Sequence, residues 1–375
     1  MQAQQQPVTP PPPSPPTWWN PIYQALIRRS ESKCGLVLKL ILLIVMAYFI
    51  YHNISSWRNR NRADNSWCEP NVTVSLDGKG QFTAISSAVE AAPANSSFKY
   101  CIYIRRGVYR ENVLVDAEKT NLVFVGDGMG KSVITSSRSS IDGFFGGDQI
   151  ATLRILGVGF MGRDLTIENA AGPERNHGVA LENWADQTVF YRSSFLGYRD
   201  TIYTSNGRQF YRDCHIQGTH YFISGDAQAV FQKCRIKAIN LSPQEQIVIS
   251  GQSRGNPTLK NGFVFHLCDI STVGTITMPP HTYLGGPVEA YAVTVVMQSF
   301  LDASIDPVGW LIDSTTAPTV FFGEYDNRGP GALTQINSPA VQLMGRSIAA
   351  RFTVRLFLEG KKWLPSTVPH QLDLI

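Results

Sequence analysis

The 375-residue chain has no Cys-x-x-Cys pair. Its six cysteines, Cys34, Cys68, Cys101, Cys214, Cys234 and Cys268, are scattered, which argues against a zinc site or a thioredoxin-like redox pair. Charge is scarce as well. Charged residues make up 17% of the chain, against ~25% in an average globular domain, while 43% are hydrophobic. General disorder is therefore excluded, and there is material for a large core. A basic main domain is also lacking. Net charge is +4, but seven of the 33 basic groups and only two of the 29 acidic ones lie in residues 1–67. The remainder, with 26 basic and 27 acidic groups, is near neutral, which argues against nucleic acid as a partner.

Long apolar runs are absent after residue 67, and one precedes it. Residues 1–34 form a basic tail with a polyproline stretch at 7–16, which stays extended and solvated. Residues 35–52 are apolar apart from Lys39, short of the ~20 residues of a spanning helix. Lys39 can snorkel to the interface, so a transmembrane or signal-anchor segment is expected there, with a cleaved signal peptide as the alternative. Residues 53–69 read as a linker and 70–375 as the main domain. Asn71, Asn95 and Asn240 head glycosylation sequons, in keeping with export.

Within the main domain, Ile85, Ala88, Val89 and Ala92 at i, i+3, i+4 and i+7 predict a helix over Phe82–Ala92, closed by Pro93. Short β-rich runs follow, and then a repeat. Tyr191–Leu196 matches Tyr211–Ile216 at an offset of 20, and Phe231–Ile236 matches again at 20, with a looser copy at Phe265–Ile270. Strands repeated at this spacing predict a parallel β-helix, in which residues of equal phase stack from coil to coil. Leu196, Ile216 and Ile236 would form an interior ladder. Cys214 and Cys234 would lie on adjacent coils ~4.8 Å apart, within disulfide reach. In an exported protein a bond between them is expected, the alternative being two reduced buried thiols. Cys268 would remain free, and Cys68 with Cys101 is a second candidate pair whose separation no local pattern fixes.

Several motifs then carry a resemblance. GVYREN (107–112), GFMGRDLTIENAAGP (159–173), GYRDT (197–201), RQFYRDCHIQGT (208–219), GEYDNRGPGA (323–332) and WLPST (363–367) together resemble the plant pectinesterases, or pectin methylesterases. The resemblance implies a right-handed, single-stranded parallel β-helix of the pectin-lyase-like kind. The inhibitor-like helical domain that precedes it in many relatives is not expected here. The implied setting is the cell wall or extracellular face, to which the apolar run adds an expected attachment to a membrane through residues 35–52, and the implied partner is methyl-esterified homogalacturonan handled by a monomer. The family reaction releases methanol from galacturonate esters and calls for no cofactor or metal. An ionised Asp attacks the ester, a second Asp acts as acid then base, two Gln hold the oxyanion, and an Arg beside the nucleophile keeps it ionised.

Position by position, the family's set is mostly gone. Asp200 retains the acid/base place in GYRDT. Arg199 and His177 stand where the two Gln would be, in GYRDT and HGVAL. Tyr221 stands at the nucleophile in GTHYFISG, and Ser224 at a Phe. Gly286 and Val288 replace the Arg and Trp in LGGPV, and Gly147 replaces a sugar-contacting Thr. The expectation is a pectinesterase fold whose ordinary chemistry is impaired or lost and which acts through pectin binding. The alternative is a rewired esterase using Asp200, His177, Arg199 and Tyr221. Arg199 beside Asp200 reads most simply as an ion pair.

Overall fold

The computed structural model describes residues 67–142, 150–175, 177–241, 246–274, 281–312, 318–332 and 338–375, and residues 68–375 form one unit. The expected tail, the apolar segment 35–52, most of the linker and Gly147 lie outside the described residues. Among the described residues no helix is long and apolar enough to cross a membrane.

The chain winds as a parallel β-helix. Among the described residues, successive coils add strands to three sheets of 11, 8 and 7 strands, and every strand pairing is parallel. The predicted helix forms as α1, Ile85–Ala91, burying Ile85, Ala88 and Val89 at the N-terminal end of the coil stack. It starts later than expected because Phe82 is drawn into a bridge with Val74. No side chain at Ala84 caps it; instead Glu111 reaches from a neighbouring coil and accepts from the amides of Ile85 (2.9 Å) and Ser86 (3.0 Å).

The core is built from stacked ladders. Phe190, Tyr211, Phe231 and Phe265 lie in register. Their rings stack face to face with centroids 5.7, 4.6 and 5.1 Å apart. One residue per coil turns the corner after this sheet with positive φ, from Asp164 and Arg192 through Asp213, Lys233, Leu267 and Gln298 to Asp326. The amides of the first six each donate to a main-chain carbonyl of the following coil at 2.8–3.2 Å. That hydrogen bond offsets the strain of a left-handed residue at each corner.

The expected aliphatic ladder is shifted by one residue. Phe195, not Leu196, aligns with Ile216, Ile236, Ile270 and Leu301, and Leu196 pairs with Gln217 on the half-buried outer side. Tyr203 pairs with Ser224, 21 residues on, whereas Gln209 pairs with Ala229, 20 on. The turn after Ser224 is therefore one residue shorter than the turn after Tyr203. The 20-residue match of Tyr191 to Tyr211 crosses a coil of 21. Because side chains alternate faces along a strand, a slip of one swaps inside for outside.

The cysteines also depart from expectation. Cys214 and Cys234 are free, buried thiols, as is Cys268, and the bond joins Cys68 to Cys101 with Cα atoms 6.1 Å apart. Stacking explains the correction. In-register parallel strands hold neighbouring Cα–Cβ vectors side by side at ~4.8 Å, wider than the ~3.8 Å typical of bridged Cβ atoms. The thiols settle instead on main-chain carbonyls: Cys214 on Arg212 (3.4 Å), Cys234 on Tyr211 (3.5 Å) and Cys268 on Phe231 (3.2 Å). Burial pushes the Cys214 and Cys268 thiols well up, so they are inert. All three thiols are at most 2% exposed, and that enclosure keeps reagent from Cys234 as from the other two, so alkylation of native protein should label none of them and all three should label on unfolding. Cys68→Ser should cost about 2–4 kcal/mol by denaturant titration, the usual range for a bond closing a loop of this length.

Candidate functional site

The seven-stranded sheet carries the positions singled out above. Its strands include Leu153–Ile155, Leu181–Asn183, Ile202–Thr204, Ile223–Gly225, Ile247–Gln252 and Thr282–Pro287. Register places Arg154, Glu182, Tyr203, Ser224, Gly251 and Gly286 in one row across it. Their strand neighbours Ile155, Leu181, Ile202 and Ile223 point into the core. Asp200 and Tyr221 sit just before two of these strands, at φ of 53° and 47°. Such left-handed corners are uncommon for a Tyr, and the Tyr221 amide is held by the Val248 carbonyl at 2.6 Å.

Asp200 is gripped on both oxygens. His177 Nδ1 contacts Oδ2, and the Ser224 hydroxyl donates to Oδ1 at 3.3 Å. A main-chain bridge between His177 and Arg199 sets the imidazole there. The hydrogen bond to Asp200 raises the His177 pKa, opposed by burial and by the nearby Arg199 charge. The expected Arg199–Asp200 ion pair does not form among the described residues, and the Arg199 Nε is buried without a hydrogen bond. Asp200 turns with positive φ directly after the bridged Arg199, which leaves its carboxylate to His177 from the neighbouring coil. Asp226 is not part of this group. It accepts from the Ser205 hydroxyl (2.7 Å) and the Asn206 amide (3.1 Å), closing a turn.

The raised His177 pKa has a defined sign. Protonated His177 is favoured in the folded chain, so its stabilisation is fully present below the ordinary 6.5 and is lost as pH rises through the raised folded value. Melting temperatures of wild type and His177→Gln should differ most at about pH 5 and converge by about pH 9. The imidazole is 47% exposed, so solvent screening keeps the difference small. A gap that widens with pH would contradict the assignment.

Tyr221 and Gly286 form a second group. A Cβ built on Gly286 would lie 2.9 Å from the Tyr221 hydroxyl and 3.1 Å from the Leu311 carbonyl oxygen. A Cβ on Gly251, the strand neighbour of Gly286, would lie 2.7 Å from the Tyr221 ring. The phenol thus occupies ground that two glycines leave free. Val288, 53% exposed, stands beyond the end of the same strand and close to Gly251. The sequence-derived set is therefore brought together in two clusters, His177–Asp200–Ser224 and Tyr221–Gly286.

A third cluster on this face was not foreseen. Arg154 Nε lies 3.0 Å from Glu182 Oε2, and Trp184 Nε1 donates to Glu182 Oε1 at 2.8 Å. The Trp184 and Tyr203 rings are 6.2 Å apart, tilted at 47°. Glu182 and Trp184 are alternate residues of one strand end, a period-2 signal that would have marked them had the coil register been known.

A parallel β-helix with polar and ring-bearing side chains in rows along one outer sheet defines the class of protein. Within it, the chain belongs to the pectinesterase family, whose model matches residues 71–361. It is 42% identical over 327 residues to the pectinesterase/pectinesterase inhibitor PPE8B of Prunus persica, covering 84% of this chain and 62% of that protein. The chain spans about three-fifths of the length of the curated relatives it matches. Among solved structures it resembles pectin methylesterase from carrot, with a TM-score of 0.78, 38% identity, and coverage of 82% of this chain and 98% of that one. The deglycosylated pectin methylesterase of Aspergillus niger follows at a TM-score of 0.68 and 27% identity, over 80% of this chain and 98% of that one.

Proposed function

We propose that this chain binds methyl-esterified homogalacturonan at the plant cell wall without carrying out the family's ester hydrolysis. One observation carries the reading: the Tyr221 phenol lies where a side chain at position 286 would have to emerge. The family reaction needs an ionised nucleophile beside a cation. Here the nucleophile position holds a phenol, and its neighbour is a glycine with no charge and no room for one. His177 removes a further requirement. A carboxylate that must first protonate a leaving group cannot readily do so while it is paired with a favoured imidazolium. Sedimentation of the protein with insoluble pectin of high and low methyl content tests the binding. Retention on the highly esterified polymer is expected, and equal retention on cellulose would overturn it.

A second reading is favoured by one contact, His177 to Asp200. A carboxylate that fixes one imidazole nitrogen leaves the other to act as a base toward water, and Arg199 would then stabilise an oxyanion. Slow methanol release that His177→Gln abolishes would select this reading.

A further inference from the structure

We propose that Trp184 and Tyr203 form a platform on which sugar rings of a methyl-esterified pectin chain stack, alongside the Asp200 cluster. This rests on the pectin-binding reading above. Trp184 is 40% exposed, so part of its ring is open to a ligand, and it carries a large flat apolar face with a polar N–H at one edge. The ring is also braced. Its indole N–H is tied to Glu182, which is only 3% exposed, and Glu182 is in turn faced by Arg154 at 3.0 Å. Burying a carboxylate and a guanidinium is expensive, and the arrangement here is imperfect, since Arg154 Nε and Glu182 Oε2 make no well-directed hydrogen bond. What the pair does achieve is to fix an exposed indole in one orientation, which lowers the ordering cost of binding.

The position of the platform gives its occupant. Glu182, Tyr203 and Ser224 are consecutive in the outer row, and Ser224 touches Asp200. Successive coils are spaced by ~4.8 Å, close to the length of one sugar unit, so a glycan lying along the row meets the platform and the Asp200 cluster within a few residues. A galacturonate ring shows the C–H bonds of C3, C4 and C5 on one face, an apolar patch suited to an indole. Its ester, once methylated, carries no charge. The Arg154 charge is already engaged by Glu182, so the platform presents no free cation to an unesterified uronate. At the platform itself, an esterified unit is therefore the better ligand.

Isothermal titration of the full chain with esterified and unesterified oligogalacturonides tests this. The esterified oligomer should bind more tightly to wild type. Trp184→Ala should weaken that binding about tenfold, the scale of a tryptophan hot spot, and Trp184→Phe should fall between the two, with near-UV circular dichroism confirming that both variants fold. Wild-type affinity in a folded Trp184→Ala would overturn the platform while leaving pectin binding intact. Tighter binding of the unesterified oligomer would overturn the choice of ligand. Wild type that binds neither oligomer would overturn the pectin-binding reading and the platform together.

Discussion

Replacing Tyr221 by Asp, Gly286 by Arg, and both His177 and Arg199 by Gln should raise methanol release far above that of the wild-type chain. Each change supplies one missing requirement. The carboxylate becomes the nucleophile, the guanidinium keeps it ionised, and the amides hold the oxyanion without tying up Asp200. Such groups act as a unit, so single restorations should gain almost nothing. Tyr221→Asp alone would leave a carboxylate with no cation beside it. His177→Gln alone would free Asp200 but provide no nucleophile. The combined variant should exceed the best single one by at least two orders of magnitude, about the effect of one oxyanion donor. A combined variant that folds by circular dichroism yet stays inert would show that the cleft has changed shape as well as chemistry, with Ser224 and Val288 the first positions to examine.

The second large effect is on stability. Gly286→Arg alone should destabilise the fold by about 1–3 kcal/mol, the usual cost of overpacking, because its Cβ would press on the Tyr221 hydroxyl and the Leu311 carbonyl. Removing the phenol in the same chain clears one of those two contacts and gives the guanidinium a carboxylate partner. Tyr221→Asp with Gly286→Arg should therefore be more stable than the sum of the single changes predicts, by an interaction energy of about 0.5–3 kcal/mol. Urea titration of the four proteins of this cycle measures it. Additive effects would mean that the ring and the glycine are independent, and the account of how the site closed would fail.

Much of this was legible in the residues. The spacing of Tyr211 and Phe231, and of Ile216 and Ile236, announced the coil, because stacked apolar ladders require equal phase at equal spacing. The motifs pointed to Tyr221, Gly286, Arg199 and His177, and the structure brings Tyr221 against Gly286 and His177 against Asp200. What stayed hidden depends on register. Leu196 looked like the partner of Ile216 because Tyr191 and Tyr211 happen to be alike, while the true coil length is set by a turn one residue longer. Cys214 and Cys234 are neighbours, as read, but proximity alone does not orient two Cβ vectors for a bond. The Arg199–Asp200 pair failed because Asp200 turns a left-handed corner toward His177, which adjacency in the sequence does not reveal. The lock between Tyr221 and Gly286 needed three coils to be aligned before either residue explained the other.

The most direct test of the central claim is methanol release from highly methylated pectin by the wild-type chain, measured beside its retention on the same polymer. The account predicts retention with no methanol above the buffer control from about pH 5 to pH 9, a range spanning both charge states of His177. Sustained methanol release at a rate unaffected by His177→Gln but lost in Tyr221→Phe would contradict it, because turnover would then run through the phenol assigned here to blocking the site.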